Sequence, residues 1–249
     1  MAVILNPVGS QGGMIWQDSA YPWKIYGGVG EGIRAWALKP VLPVDDTTGD
    51  PTEFTMTVVE GGGGGDSTVT NGLVQGYPLL LTTDNADFDG INLQLKGSLA
   101  MCSATTPWYF RSVVKASVAA LSDLLIGMCA PKTDLCKTTS AHGVLATAVE
   151  GVFFFKVAGA SSTTIYAKVY VAGTEVSSTA VGTLATADID LAVRWDGAYF
   201  HFYVNDVEKA MVAGTLPTVA LTPSLNWRTG AAAAITLSVS ELAFVSVEA

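Results

Sequence analysis

Carboxylates are the first residues in this sequence that could do chemistry. Asp188 and Asp190 stand two apart in "ATADIDLAVRW", which places both on one face of a strand. Hydrolysis of a glycosidic bond needs two carboxyls flanking it, one as acid and one as nucleophile or base. Both aspartates oppose the apolar series Ile189, Leu191, Val193 and Trp195, so they read as the solvated start of a strand. A second acidic group, "DNADFDG" from Asp84 to Gly90, follows N-x-D-x-D-G from Asn85 and resembles the start of a calcium loop. An EF-hand loop needs a bidentate acid at its twelfth position, and that position is Lys96. The stretch reads as a polar turn before the Ile91 strand, which Asn, Asp and Gly favour. A cation site from Asp84, Asp87 and Asp89 is the alternative.

Nucleophilic chemistry finds little support. The two histidines, His142 and His201, accompany no serine in an elbow pattern. The three cysteines, Cys102, Cys129 and Cys136, are an odd number and close no disulfide framework; Cys102 and Cys129 have the apolar surroundings of buried thiols. No His/Cys group has zinc spacing. The glycine runs "GGVGEG" (27–32) and 61–65 lack the strand, helix and lysine that a phosphate loop requires. No catalytic residue, metal or cofactor is therefore assigned. Four tyrosines remain. Tyr166, Tyr170, Tyr199 and Tyr203 alternate with core positions, and such residues stack on sugars or pack on a neighbouring subunit.

These residues must be positioned by strands. "GINLQLKG" alternates Ile91, Leu93 and Leu95 against Asn92, Gln94 and Lys96. "TTIYAKVYVAG" sets Ile165, Ala167, Val169 and Val171 against Tyr166, Lys168 and Tyr170, with a turn at Ala172-Gly173. "DIDLAVRWDGAYFHFYVNDVEKA" holds two alternating runs across Asp196-Gly197, a two-residue hairpin signal. Phe200, Phe202 and Val204 point inward there, and Tyr199, His201 and Tyr203 outward. About twelve strands are expected between Leu79 and Val247. "SVVKASVAALSDLLIGMCA" could imitate a helix for two turns, but its β-branched content favours strands. Earlier, "TEFTMTVVE" alternates Phe54 and Met56 with Thr55 and Thr57. The organisation expected is an extension over 1–60, a Gly-rich hinge over 61–72 and a β-sandwich over 73–249. Trp16, Trp23 and Trp36 in the extension either pack on their own domain or anchor it to a partner.

Composition narrows the partners. Charged residues are 14% of the 249, against about a quarter in an ordinary soluble domain, and the net charge is −9. No Lys/Arg cluster offers the basic surface that nucleic acid or anionic lipid requires. The first residues lack a signal-peptide pattern, and no apolar run approaches the ~18 residues of a spanning helix.

Three stretches carry a resemblance to a known family. "WYFRSVVKASV" resembles a strand opening the core of concanavalin A-like lectin/glucanase jelly rolls. "VFFFKVAGASSTTIYAKVYVAG" resembles a core strand followed by a long outer one. "DIDLAVRWDGAYFHFYVNDVEKA", with Asn205-Asp206 where members commonly have Asp-Gly, resembles the closing unit. "LTPSLNWRTGAAAAITLSVSELAFVSV" is similar to the final strands. The likeness covers Asn85 to Glu248 and implies an all-β, two-sheet jelly-roll sandwich. Hydrolases of that fold carry E-x-D-x-x-E on one strand, which is absent here. The low charge and aromatic extension look similar to decoration, or cement, proteins of tailed-bacteriophage capsids. That resemblance implies a non-enzymatic structural protein made in the host cytoplasm, seated on the outer virion surface and bound to the major capsid lattice as a homotrimer. The alternative is a carbohydrate-binding adhesion module contacting surface glycans.

Overall fold

The computed structural model describes residues 3–8, 13–18, 25–29, 33–38, 51–61, 66–70, 77–136, 142–159, 162–213 and 215–247, with side chains from Arg34 onward. No helix occurs among them, and two antiparallel sheets pack face to face. The seven-stranded sheet runs β13 (Thr174–Thr183), β12 (Thr164–Val171), β11 (Gly151–Lys156), β10 (Ser122–Cys129), β17 (Thr222–Thr229), β8 (Gly90–Leu95) and β5 (Phe54–Val59). The eight-stranded sheet runs β16 (Val207–Val212), β15 (Phe200–Val204), β14 (Ile189–Trp195), β9 (Trp108–Ala116), β18 (Thr236–Val247), β7 (Leu79–Thr82) and β6 (Thr68–Thr70). Its eighth strand, β4 (Ile33–Ala37), pairs with the far half of β18. Three further strands, β1 (Val3–Val8), β2 (Gly13–Asp18) and β3 (Ile25–Val29), form a sheet of their own.

The core follows from the two-residue period of the strands. Leu124, Ile126, Val152, Phe154, Ile165, Ala167 and Val169 from one sheet meet Phe110, Val114, Leu191, Val193, Trp195 and Phe202 from the other. Phe154 and Phe202 touch edge to face across the interface, centroids 5.4 Å apart, a favoured aromatic geometry. Each fully buried side chain of this size contributes about 2–3 kcal/mol of transfer free energy.

The twelve strands expected between Leu79 and Val247 are β7 to β18. The ambiguous stretch after Ser112 is the end of β9 and all of β10, with no helix between them. Ala172-Gly173 and Asn205-Asp206 are two-residue turns with left-handed backbone at both positions, φ 48° and 81°, then 50° and 65°. This is the mirror-image turn whose twist suits a hairpin. The third turn departs from expectation by one residue. Asp196 pairs with Tyr199, so the turn centres on Gly197-Ala198, with Gly197 at φ 101°. The Asp196 carboxylate explains the shift, because its Oδ1 accepts the N–H groups of Ala198 and Tyr199 at 2.8 and 2.7 Å.

The expected boundaries need correction. The sandwich does not begin at residue 73, since β5 pairs along all of β8, β4 lies on β18, and β6 lies on β7. Phe54 is buried in the main core, and Trp36 packs edge to face against it at 5.7 Å. The Trp36 indole donates to Glu53 at 3.2 Å. Trp36 therefore packs on its own domain. Trp16 lies on β2 with no described side chain, and Trp23 and Gly62–Gly65 of the expected hinge lie outside the described residues. Gly61 is described, and its N–H donates to Asp89 at 2.7 Å. A Cβ there would sit 1.9 Å from the Asp87 carbonyl oxygen, so this glycine is required by close approach. Removing residues 1–60 should strip β4 and β5 from the sandwich, along with the whole β1–β3 sheet, and unseal the core; chemical denaturation should show a large loss of stability, and Phe54→Ala alone should cost about 3–5 kcal/mol.

Candidate functional site

The outer face of the seven-stranded sheet is where the candidate residues gather. Along β11, Phe154 enters the main core while Phe153 and Phe155 point outward, yet both are buried. A cover segment, described over 130–136 and 142–150, lies over them. Leu135, Cys136 and Val149 from that segment form a second apolar cluster with Leu125, Cys129, Phe153 and Phe155. Asn92 and Gln94, expected on a wet face, are buried as well. Asn92 donates to the carbonyls of Lys132 and Thr133 at 3.2 Å, and Gln94 to Ala130 at 3.1 Å. The Gln94 side-chain oxygen accepts the Lys132 N–H at 2.6 Å. Two amide side chains thereby satisfy loop backbone that would otherwise be buried without partners.

A charged knot pins the far end of this cover. Asp123 on β10 is fully buried and accepts Arg228 Nε and Nη2 at 3.0 and 2.7 Å, with the Ala158 N–H at 2.6 Å. His142 Nδ1 lies 3.0 Å from Asp123 and its Nε2 3.2 Å from Asp87. The imidazole stacks on Phe88 at 4.4 Å, and the Arg228 guanidinium lies 5.5 Å from the same ring. Phe88 holds a left-handed backbone, φ 71°, uncommon for so bulky a residue. Nearby, the buried Lys156 donates to the carbonyls of Ala120 and Ser122 at 2.8 and 2.5 Å. Burial lowers its pKa to about 8, with Asp123 pulling the other way.

Between the cover and the β12–β13 turn lies a cleft of about 480 Å³, walled by residues 143–148, Tyr170, Ala172 and Gly173. Tyr170 is half-buried, stacks on Phe153 at 5.7 Å, and donates to Glu175 at 2.9 Å. Burial, with Glu175 accepting the phenol proton, pushes its pKa up to about 12. Lys168 also donates to Glu175 and lies 5.7 Å from the Tyr170 ring. Gly143, Ala148, Ala172 and Gly173 all have left-handed backbone. The Gly173 N–H donates to Val149 at 2.9 Å, and a Cβ on Gly173 would meet Ala148 at 2.9 Å. Ala172 and Gly173 owe this backbone to their hairpin turn and Gly143 adopts it without cost, which leaves Ala148 as the strained position beside the cleft.

The four candidate tyrosines do not share one surface. Tyr166 and Tyr170 are half-buried on β12, whereas Tyr199 and Tyr203 belong to the other sheet. Tyr199 is 40% exposed. Tyr203 is on the expected outer face but is buried with Tyr109 and Ala192. It cannot contact a ligand without repacking. His201 Nε2 lies 3.0 Å from Asp196 and its Nδ1 3.3 Å from Glu208. Burial would raise the Asp196 pKa, but His201 and the two turn N–H groups outweigh it and bring it to about 2.

Asp188 is exposed and accepts the Tyr77 phenol at 2.8 Å. Asp190 receives Arg111 in a two-pronged contact at 2.8–3.1 Å, and Arg111 also reaches Glu241. These aspartates do not face each other as an acid and base. Asp89 spends both oxygens on the N–H groups of Gly61 and Ala86, as the polar-turn reading requires. No group of three or more His, Cys, Asp or Glu converges among the described residues. Cys129 and Cys136 are buried free thiols. Cys102 is half-buried, and burial pushes its thiol up to about 12. A protonated thiol is a poor nucleophile.

Sheet order, crossovers and core together define an all-β, two-sheet sandwich with the concanavalin A-like jelly-roll fold. No protein-family model matches the sequence, and no curated protein is similar to it. Among solved structures the chain is similar to the metal-free carbohydrate recognition domain of Emp46p, at 10% identity over 84% of this chain and 95% of that one, TM-score 0.57. It is similar to Bacillus licheniformis β-glucanase at 10% identity over 84% and 97%, TM-score 0.55. A protein of unknown function from Shewanella oneidensis gives 6% identity over 87% of each chain, TM-score 0.53. Likeness at such identity concerns the fold alone, and function must be argued from the site.

Lys156 supplies a pH test of the buried knot. Its proton is held to about 10.5 when unfolded and only to about 8 when folded. Between those values the unfolded chain binds more protons, so stability should rise with pH. Denaturation midpoints of wild type minus Lys156→Met should show that rise from pH 8 to 10; parallel curves would contradict it.

Proposed function

We propose that this protein is a non-enzymatic carbohydrate-binding module, with its site in the Tyr170 cleft. The observation that carries the reading is Tyr170 itself. Its ring is held on Phe153 at the wall of an open cleft, and its hydroxyl is fixed on Glu175. A sugar offers an apolar C–H face to a ring and hydroxyls to a carboxylate, and the small residues opposite leave room for one or two units. Pockets of a few hundred Å³ with few placed polar groups are the usual form of a small-molecule site. Glu175 already shares its charge with Lys168, and no carboxylate is among the described residues that wall the cleft, which supports binding over hydrolysis. A glycan array should give specific binding, and Tyr170→Ala should weaken it at least tenfold, about 1.4 kcal/mol. Tyr199→Ala should leave it intact. A blank array, or binding indifferent to Tyr170, would sink this reading.

A second reading, a decoration protein on a bacteriophage capsid, is favoured by the separate β1–β3 sheet and by two exposed apolar residues on the edge strand β16, Val207 and Met211, 53% and 58% exposed beside Glu208 and Lys209. An appended sheet and an unpaired edge strand suit contact with a lattice or with sister subunits in a trimer. Electron microscopy of purified particles checks it: density for this protein on the head surface is expected, and its absence from particles counts against it.

A further inference from the structure

An open sheet ends on strands that show one row of unpaired N–H and C=O groups to water. The two sheet orders end on β13 and β5, and on β16 and β6. Three of these ends are blunted. β6 has three residues. β5 has six, and only Thr55 among them is exposed. β16 carries Glu208 and Lys209 along a short run, and charge on an edge discourages pairing. β13 differs on each count. It runs ten residues, Thr174–Thr183, and seven of them are exposed. It contains no Lys, Arg or Pro, and among the described strands only β12 pairs with it. Such an edge is a template for one more strand.

The residues of β13 favour one partner, a second copy of the same strand. Its centre, Ser177–Ala180, is uncharged and lies between the two register shifts against β12. Ser177 and Thr179 pair with the core residues Val169 and Ala167 and so stand on the inner face. Ser178 and Ala180 pair with Lys168 and Tyr166 and stand on the outer one. An antiparallel copy, turned about a two-fold axis normal to the sheet, keeps these faces and sets small hydroxyl and methyl groups against one another. Glu175 is the only charged residue of the strand and lies near one end. The axis therefore holds its two copies about 20–26 Å apart along the strands, whereas a parallel copy in register would set them side by side. β16 lies against β13 on the same flank. Val176, Val207 and Met211 there are 40%, 53% and 58% exposed, so the same axis brings an apolar fringe into the contact.

We propose that β13 is a dimer edge: two copies of this chain join β13 to β13, antiparallel, and fuse their seven-stranded sheets into one continuous sheet. Tyr170 and Glu175 lie on the outer face of that sheet, so the two Tyr170 clefts open on the same side of the dimer. A ligand with repeated sugar units then meets two sites at once. The bivalence rests on the carbohydrate reading of the cleft; the dimer does not. Sedimentation of the full-length protein over a hundredfold range of concentration should show a monomer–dimer equilibrium. A reversible one is expected, because β13 has ten residues and β16 six, against the ~20–30 a side of a standard interface. Hydrogen exchange should find the outward amides of β13 protected at the high concentration and exchanging freely at the low one. Ser178→Lys together with Ala180→Lys places like charges opposite each other across the axis and should weaken the dimer at least tenfold, while circular dichroism shows a folded monomer. Thr55→Lys, on the opposite edge of the sheet, should leave the dimer unchanged. A protein monomeric at every concentration, or one that forms a trimer, would overturn the proposal. So would a dimer whose affinity and β13 exchange ignore the double substitution.

Discussion

The Asp123 carboxylate lies where no water reaches it, and the groups that neutralise it come from separate parts of the chain. Arg228 approaches from β17, the Ala158 N–H from the connection after β11, and His142 from the cover over the sheet. An ionised carboxylate at such a depth is tolerable only when paired and hydrogen-bonded. Removing any one partner would leave charge or a lone pair exposed to apolar surroundings. The constraint therefore ties the register of β10 on β17 to the seating of the cover, and through Asp87 and Phe88 to the turn before β8. The strained Phe88 backbone belongs to the same knot, since its ring lies between His142 and Arg228.

The cover in turn decides what the seven-stranded sheet can present. Phe153, Phe155, Leu125 and Cys129 are taken up by Leu135, Cys136 and Val149 of the cover, and Asn92 and Gln94 bond to its backbone. Most of the outer face is closed to a ligand. What stays open is the margin where the cover meets the Ala172-Gly173 turn, and Tyr170 stands there. The same packing that buries Phe153 makes the Tyr170 ring a fixed platform rather than a mobile side chain, which lowers the entropy cost of binding on it. The eight-stranded sheet treats its own outer tyrosines differently. Arg111 joins Asp190 and Glu241 across three strands, and Tyr203 is buried beside Tyr109.

Much of the architecture was legible in the sequence because a strand's side-chain period is two and a buried face must be apolar. The alternation in β8, β12, β14 and β15 named the residues of the main core, and Asn205-Asp206 and Ala172-Gly173 named two turns. The alternation of β5 was legible, but its pairing with β8 was not, and the short strands β4 and β6 at the sheet margin carry little pattern of their own. Partners such as β18, more than 150 residues away from β4, leave no local sign. One further signal lies in the sequence: three consecutive phenylalanines, Phe153 to Phe155, do not suit a sheet with one wet face, and they imply a cover over β11.

By itself, then, the sequence determined an all-β sandwich, its inward residues, most of its hairpins and the lack of a paired-carboxylate motif. These are consequences of local periodicity and turn chemistry, which neighbouring residues decide. Tertiary structure alone decided which outward residues meet water. Tyr166, Tyr170, Tyr199 and Tyr203 obey one sequence rule, yet only Tyr170 borders the cleft and Tyr203 is buried, because exposure depends on what a distant segment lays over the face. The joining of Asp123 with Arg228, and the standing of β13 at an open sheet edge, depend likewise on strand order, which alternation does not encode.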